Sequence, residues 1–328
     1  MLRSKARPHR LFFAADLHGS EPTFRKFVKA AQFYGCDALV FGGDLMGKAL
    51  VPIVRENGGY RARFQGIDHR FEADGLAAFT RGVEVTGFYW KVVEQDEYAV
   101  TSADPLLQKA MFQELASGRL ERWISLAEER LAGSGVRMFL CGGNDDEPGV
   151  LRTLEAHDGE AVVASEGKLL ELDESHTMVT VGLSTVTPWD TPREASEEEI
   201  SQAIETEVEK VPDVSRAVFN FHCPPKDTPI DTCVKLRRPT RPGELPTPVR
   251  EGGRFVTTGG GSRAVRAALE RYQPVVGLHG HIHESMGRFR IGRTQCLNPG
   301  SEYLQGTLQG WIVSLRDGKL AGYQHTSG

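Results

Sequence analysis

Five short segments of this 328-residue chain carry side chains that could hold metal ions together: Asp16-Leu17-His18, Gly43-Asp44, Gly143-Asn144, His222, and Gly280-His281-Ile282-His283. Their carboxylate, amide and imidazole donors suit transition ions. In Asp-x-His the two side chains are alternate residues. At the end of a strand alternate residues share a face, so both could reach one ion, and His281 and His283 repeat the spacing. Taken alone, Asp16-Leu17-His18 is more often a loop acid beside a hydrogen-bonded histidine, and Gly280-His281-Ile282-His283 is the stronger signal. Their weight comes from occurring together.

Something must position these residues. Each segment follows an apolar run that reads as a buried strand, at residues 10–15, 38–41, 136–141, 217–221 and 274–278. The donors would therefore converge at the carboxyl ends of strands, where open α/β sheets bind ligands. Between the first two strands, Phe24, Phe27, Val28, Ala31 and Phe33-Tyr34 have helical spacing and Gly35 reads as a stop, which makes a βαβ start. The pattern changes over residues 48–118. There, residues 50–54 and 60–64 flank Asn57-Gly58-Gly59 as a hairpin, and the stretch reads as an inserted cap. Residues 104–131 predict a helix broken near Ser117-Gly118. Residues 196–211 predict an acidic amphipathic helix with a solvated face. Residues 224–262, dense in Pro and Gly, read as a long irregular loop, and residues 311–315 and 320–323 read as a closing hairpin about Asp317-Gly318. The whole chain, 1–328, reads as one domain.

The formal net charge of −5 offers no global attraction to nucleic acid or to anionic membrane, so a phosphate-bearing ligand must be held by local charge or by metal. The five cysteines, Cys36, Cys141, Cys223, Cys233 and Cys296, show no Cys-x-x-Cys spacing, which argues against a zinc ribbon or disulfide framework and for a reducing, cytoplasmic setting. The basic residues before Leu11 faintly resemble a signal peptide. The apolar run behind them is short and passes straight into Asp16, so it is read as the first strand. No apolar stretch approaches the roughly 20 residues of a membrane helix.

Taken in order, Asp-x-His, Gly-Asp, Gly-Asn, His and Gly-His-x-His resemble the calcineurin-like metallophosphoesterase superfamily over about residues 10–300. The resemblance implies a four-layer αββα sandwich of two mixed sheets and a dinuclear metal centre. One ion would take Asp16, His18 and His283, the other Asn144, His222 and His281, and Asp44 would bridge both. Two ions about 3.5–4 Å apart can polarise a phosphoryl oxygen and generate hydroxide from a bridging water at neutral pH. The donor set, without thiolate, suits Mn, Fe, Zn, Co or Ni, as divalent or trivalent ions, better than Mg. Many members have a histidine after the Asn as leaving-group acid, whereas Asp145 stands here. Between cations an Asp should be ionised and a poor acid, so Asp145 either takes that catalytic place with Asn144 and His222 or orients a ligand histidine. Gly43-Asp44-Leu45-Met46-Gly47-Lys48, His222-Cys223-Pro224-Pro225 and Asn298-Pro299-Gly300-Ser301 are similar to the Icc-related phosphoesterase branch.

The expected activity is hydrolysis of phosphoesters by a metal-bridging hydroxide, with phosphodiesters and nucleotide derivatives favoured because a site without a strong general acid prefers good leaving groups. Two rival functions are a binding scaffold of the same fold and a metal-dependent nuclease. Intact ligands disfavour the first. The mild negative charge and the absence of an aromatic and basic stripe disfavour the second, although Arg237 and Arg241 could clamp phosphate. His279 is expected to point away from the ligands or to support them, and Ser184 and Thr185, near Pro188-Trp189, read as a strand end and turn. The sequence carries no signal for an oligomeric state.

Overall fold

The computed structural model describes residues 7–157, 159–241 and 244–328. The apolar runs become strands because each is buried on both faces, a condition that parallel strands meet when helices and a second sheet cover them. Strands β1 (His9–Ala14), β2 (Ala38–Phe41), β7 (Arg137–Leu140) and β8 (Val162–Ala164) run parallel, and β23 (Gln309–Arg316) and β24 (Lys319–Ser327) complete the sheet antiparallel, in the order β24-β23-β1-β2-β7-β8. The second sheet has the order β21 (Gly287–Ile291), β22 (Thr294–Asn298), β20 (Val276–Leu278), β13 (Ala217–Phe221), β10 (His176–Val181), β9 (Leu170–Asp173). It too is mixed, with antiparallel strands at its edges.

Alternation along the strands divides the core into layers. Phe12, Leu39 and Met138 face helices α1 (Glu21–Tyr34), α4 (Pro105–Leu131) and α5 (Pro148–Ala156). Their neighbours Leu11, Phe13, Val40 and Phe139 meet Met178, Val218 and Leu278 of the second sheet. On the far side, Val179, Phe219 and Phe221 pack on α6 (Glu197–Val208) and α7 (Arg263–Tyr272). Helix α6 begins at a reciprocal cap: Glu199 N–H donates to Ser196 Oγ and Ser196 N–H donates to the Glu199 carboxylate.

The stretch after β2 makes its own sheet, β5 (Ile67–Glu72), β4 (Gly59–Phe64), β3 (Leu50–Glu56), β6 (Tyr89–Val93), in that order. Strands β3 and β4 form the hairpin at Asn57-Gly58, while β3 and β6 are parallel and joined through helix α2 (Leu76–Val85). Val51, Ile53, Ala62 and Val83 form a small core for it. Helix α3 (Gln95–Ala103) follows, and Asp104 then caps α4 by accepting from Leu106 N–H.

The expected break at Ser117-Gly118 does not occur, since α4 runs unbroken for 27 residues. A mid-helix glycine costs about 1 kcal/mol. Burial of Ala116, Leu120, Trp123 and Ile124 around that point outweighs it. Residues 224–262 are also more ordered than expected, folding into short strand pairs: β14 (Thr232–Val234) with β19 (Thr257–Gly259), β15 (Leu236–Arg237) with β16 (Thr247–Pro248), and β17 (Arg250–Glu251) with β18 (Arg254–Phe255). A further pair, β11 (Ser184–Thr185) and β12 (Glu194–Ala195), brackets a loop. Among the described residues no helix is long and apolar enough to cross a membrane.

Candidate metal centre

The loops after β1, β2 and β7 in one sheet and after β13 and β20 in the other meet at a shared edge. Main-chain bonds tie them together: Asp16 N–H donates to Gly43 O at 2.9 Å, His18 N–H to Asp44 O at 3.0 Å, and Gly280 N–H to His222 O at 2.9 Å. Strand alternation is not what aims the donors. Asp16, His18 and His281 lie beyond their strands, and Asp16, His18, Asp44 and His281 have φ of 58°, 43°, 56° and 68°. Left-handed backbone in residues other than glycine costs about 1–3 kcal/mol each, and such strain concentrates at functional sites.

Two groups of donors result. Asp16, His18, Asp44 and His283 bring one ligand atom each within 4.8 Å of one another, and Asp44, His222 and His281 do the same. Asp44, almost fully buried, belongs to both. In the first group His18 Nε2 and His283 Nε2 are 2.9 Å apart, with Asp44 Oδ2 at 3.7 Å from His18 and Asp16 Oδ1 at 3.5 Å from His283. In the second, Asn144 Oδ1 lies 3.0 Å from His222 Nε2 and 2.7 Å from His281 Nδ1.

The proton inventory shows that these residues fit a cation. Thr191 Oγ1 donates to Glu194, so it accepts from Asn144 Nδ2 at 2.9 Å, which turns the amide oxygen toward the histidines. His222 Nδ1, 2.7 Å from Gly42 O, must donate there. A neutral His222 ring therefore presents the Nε2 lone pair to Asn144 Oδ1 and, at 3.4 Å, to Asp44 Oδ2. Three acceptors meet without a proton between them. Either a cation sits there or the ring is protonated. Among protein groups alone, burial opposes protonation, yet Asp44 raises His222 to about 9. Burial would raise the Asp44 carboxyl, but His222 and His18 hold it well below its usual range. Burial, with His222 nearby, depresses His281 to about 3.

Several bracing residues carried no signal in the sequence. The fully buried Asp146 accepts from Gly143, Leu45 and Met46 N–H at 2.7–2.9 Å and so staples the Asp44 loop to the Asn144 loop. Burial and the Asp44 charge push its carboxyl up to about 7 despite those donors. Arg193 pairs with both oxygens of Glu166 and donates to Gly143 O, and its own N–H donates to Asn144 O.

Asp145 lies beside Lys48 and His18 at the edge of the centre. Its carboxylate is paired with the Lys48 ammonium, and its Oδ2 lies 3.6 Å from His18 Nδ1, a buried atom with no hydrogen-bond partner among the described residues. Burial and Asp44 raise the Asp145 carboxyl while Lys48 opposes. His279 donates from Nδ1 to Phe221 O at 2.8 Å, behind the ligands.

The β5-β4-β3-β6 sheet meets the centre through close backbone approaches, and Tyr89 Oη of β6 accepts from Gly47 N–H at 2.9 Å. A Cβ on Gly87 would stand 1.8 Å from His18 O, and one on Gly47 would stand 2.0 Å from Gly87 O. Only glycine permits that approach. The buried Arg119 of α4 donates to Gly19 O, Gly87 O and Phe88 O beside it.

A cleft of about 1870 Å³ opens over the centre, lined by residues of β3, α3 and α4, by residues 185–192 and by part of 226–263. Asp44, Asn144, Asp145, His281 and His283 form part of its floor. Thr185 lines the cleft, whereas Arg237 and Arg241 do not.

No family model matches the chain, and no curated protein matches it either. Two solved structures each align over 98% of both chains: one at 15% identity with a TM-score of 0.56, and TT1561 of Thermus thermophilus at 14% identity with a TM-score of 0.52. These show a shared fold. The sulfate thiohydrolase SoxB of Thermus thermophilus, solved with glycerol, aligns at 12% identity over 98% of this chain and 56% of its own, but its TM-score of 0.38 is too low to bear on the argument.

Proposed function

We propose that this chain is a dinuclear metal-dependent phosphoesterase of the calcineurin-like superfamily, and that its three cores are those of a four-layer αββα sandwich carrying a cap. The observation that carries the reading is the sharing of Asp44 between two donor groups. Asp16, His18 and His283 would hold one ion, Asn144, His222 and His281 the other, and the buried Asp44 carboxylate would keep two positive charges close. Mn, Fe, Zn, Co or Ni suit these donors. The pair of cations supplies Lewis acidity and a hydroxide nucleophile at neutral pH.

The remaining tasks fall to the chain. Thr191 holds the Asn144 oxygen toward the second ion, and Asp145 faces the back of the His18 ring. Lys48, with 40% of its side chain exposed and its ammonium on Asp145, borders the cleft where it can meet phosphoryl oxygens. The preference for diesters rests on the cleft. At about 1870 Å³ it exceeds the roughly 300–1000 Å³ of ordinary small-molecule sites. The five free cysteines fit a reducing, cytoplasmic setting.

The test is metal content and turnover together. Reloaded with Mn and washed, the protein is expected to retain two ions per chain and to hydrolyse bis-(p-nitrophenyl) phosphate faster than a simple alkyl monoester. Asp44→Asn should lower both occupancy and turnover. One ion or none per chain, with Asp44→Asn indistinguishable from wild type, would refute the bridged centre.

A further inference from the structure

We propose that the loop between β11 and β12 forms a binding subsite for a planar aromatic group of the substrate, a nucleobase, with Trp189 as its stacking face. The proposal rests on the phosphoesterase reading and specifies which phosphoesters the site takes. Trp123 and Trp311 are 1% and 6% exposed, whereas Trp189 is 53% exposed on the wall of the cleft whose floor is the metal centre. A large aromatic surface left open beside a reaction site is what stacking requires.

The backbone of the loop is held by a network of hydrogen bonds. The Glu194 carboxylate accepts from Thr187 Oγ1, from Thr191 N–H at 3.0 Å and from Thr191 Oγ1 at 2.9 Å, and Trp189 N–H donates to Thr187 Oγ1 at 3.1 Å. Arg238 Nη2 donates to Thr187 O at 3.1 Å, which ties the loop to the segment beyond β15. Asp190 at its tip takes a φ of 54°, a conformation a residue other than glycine holds only when its surroundings impose it. Thr191 in turn receives the Asn144 amide, and Arg193 N–H donates to Asn144 O at 3.0 Å. Two residues of chain span at most about 7 Å, so the backbone of Trp189 lies within that reach of a residue touching a metal ligand. An adenine or guanine one sugar away from the scissile phosphoester would fall on this wall. Val186 and Leu245, 58% and 74% exposed, add apolar surface to the same cleft.

The experiment measures equilibrium binding of adenosine, AMP and ribose 5-phosphate to the Mn-loaded protein by calorimetry, for wild type, Trp189→Ala and Trp189→Phe. AMP is expected to bind about tenfold to a hundredfold more tightly than ribose 5-phosphate. Trp189→Ala should erase most of that difference by weakening AMP alone, and Trp189→Phe should restore most of it. Adenosine binding that depends on Trp189, with ribose 5-phosphate not bound at all, would sustain the subsite and instead remove the phosphoester reading. Equal affinity for AMP and ribose 5-phosphate, equal weakening of both by Trp189→Ala, or no Trp189-dependent binding of either adenine ligand would overturn the subsite.

Discussion

Asp145 shows how a single side chain can be re-read once its neighbours are known. It lies between the Lys48 ammonium and the unpartnered Nδ1 of His18, both of which approach its Oδ2. That geometry favours orienting a ligand over protonating a leaving group. Groups that orient metal-binding histidines are worth about 10- to 100-fold in metal affinity. Asp145→Ala is therefore expected to weaken the ion held by His18 by about that factor and to spare the other, as read from calorimetric metal titration of stripped protein. Unchanged affinity for both ions would rule the orienting role out. The clustering of the candidate donors was legible because their types and order are informative. Asp146, Thr191 and Glu194 were not, because an acid or a threonine in a loop has no signature until folding brings it to its partner.

At the scale of elements, the strands were readable where burial leaves no choice: residues 38–41 and 217–221 are apolar but for Asn220 and are wholly buried. The helix after the insertion was misread at one point. Gly118 looks like a breaker in a window of sequence, yet α4 passes through it on the strength of its buried stripe. A Cβ at Gly118 would meet only the flexible end of Arg122, at 3.5 Å. Gly118→Ala is thus expected to stabilise the protein by about 0.5–1 kcal/mol, seen as a higher denaturation midpoint at unchanged slope. A loss of stability would mean that the helix needs its glycine. The convergence of the ligands was legible only in part. Period-two alternation predicted that Asp16 and His18 face one way, whereas left-handed turns past the strand end do the aiming, and such turns leave little trace when the residues are Asp and His rather than glycine.

Across the whole molecule, the site is the seam between two sheets, since Asp16, His18, Asp44 and Asn144 come from one and His222, His281 and His283 from the other. Ions held across that seam would bind only the folded chain, and each at a hundredfold excess over its dissociation constant would add about 2.7 kcal/mol. Removing metal with a chelator should lower the melting temperature by several degrees, reversibly on re-addition, and the shift should shrink in Asp44→Asn. A chelator-insensitive melt would show that the seam closes without ions. The contact of Gly87 with His18 O and Gly47 has a mechanical consequence for the inserted sheet. Pressed backbone to backbone on the loops of His18 and Asp44 and tied by Arg119, it would draw those loops with it if it moved. Any displacement of the β5-β4-β3-β6 sheet would therefore be felt directly in the spacing of the candidate donors.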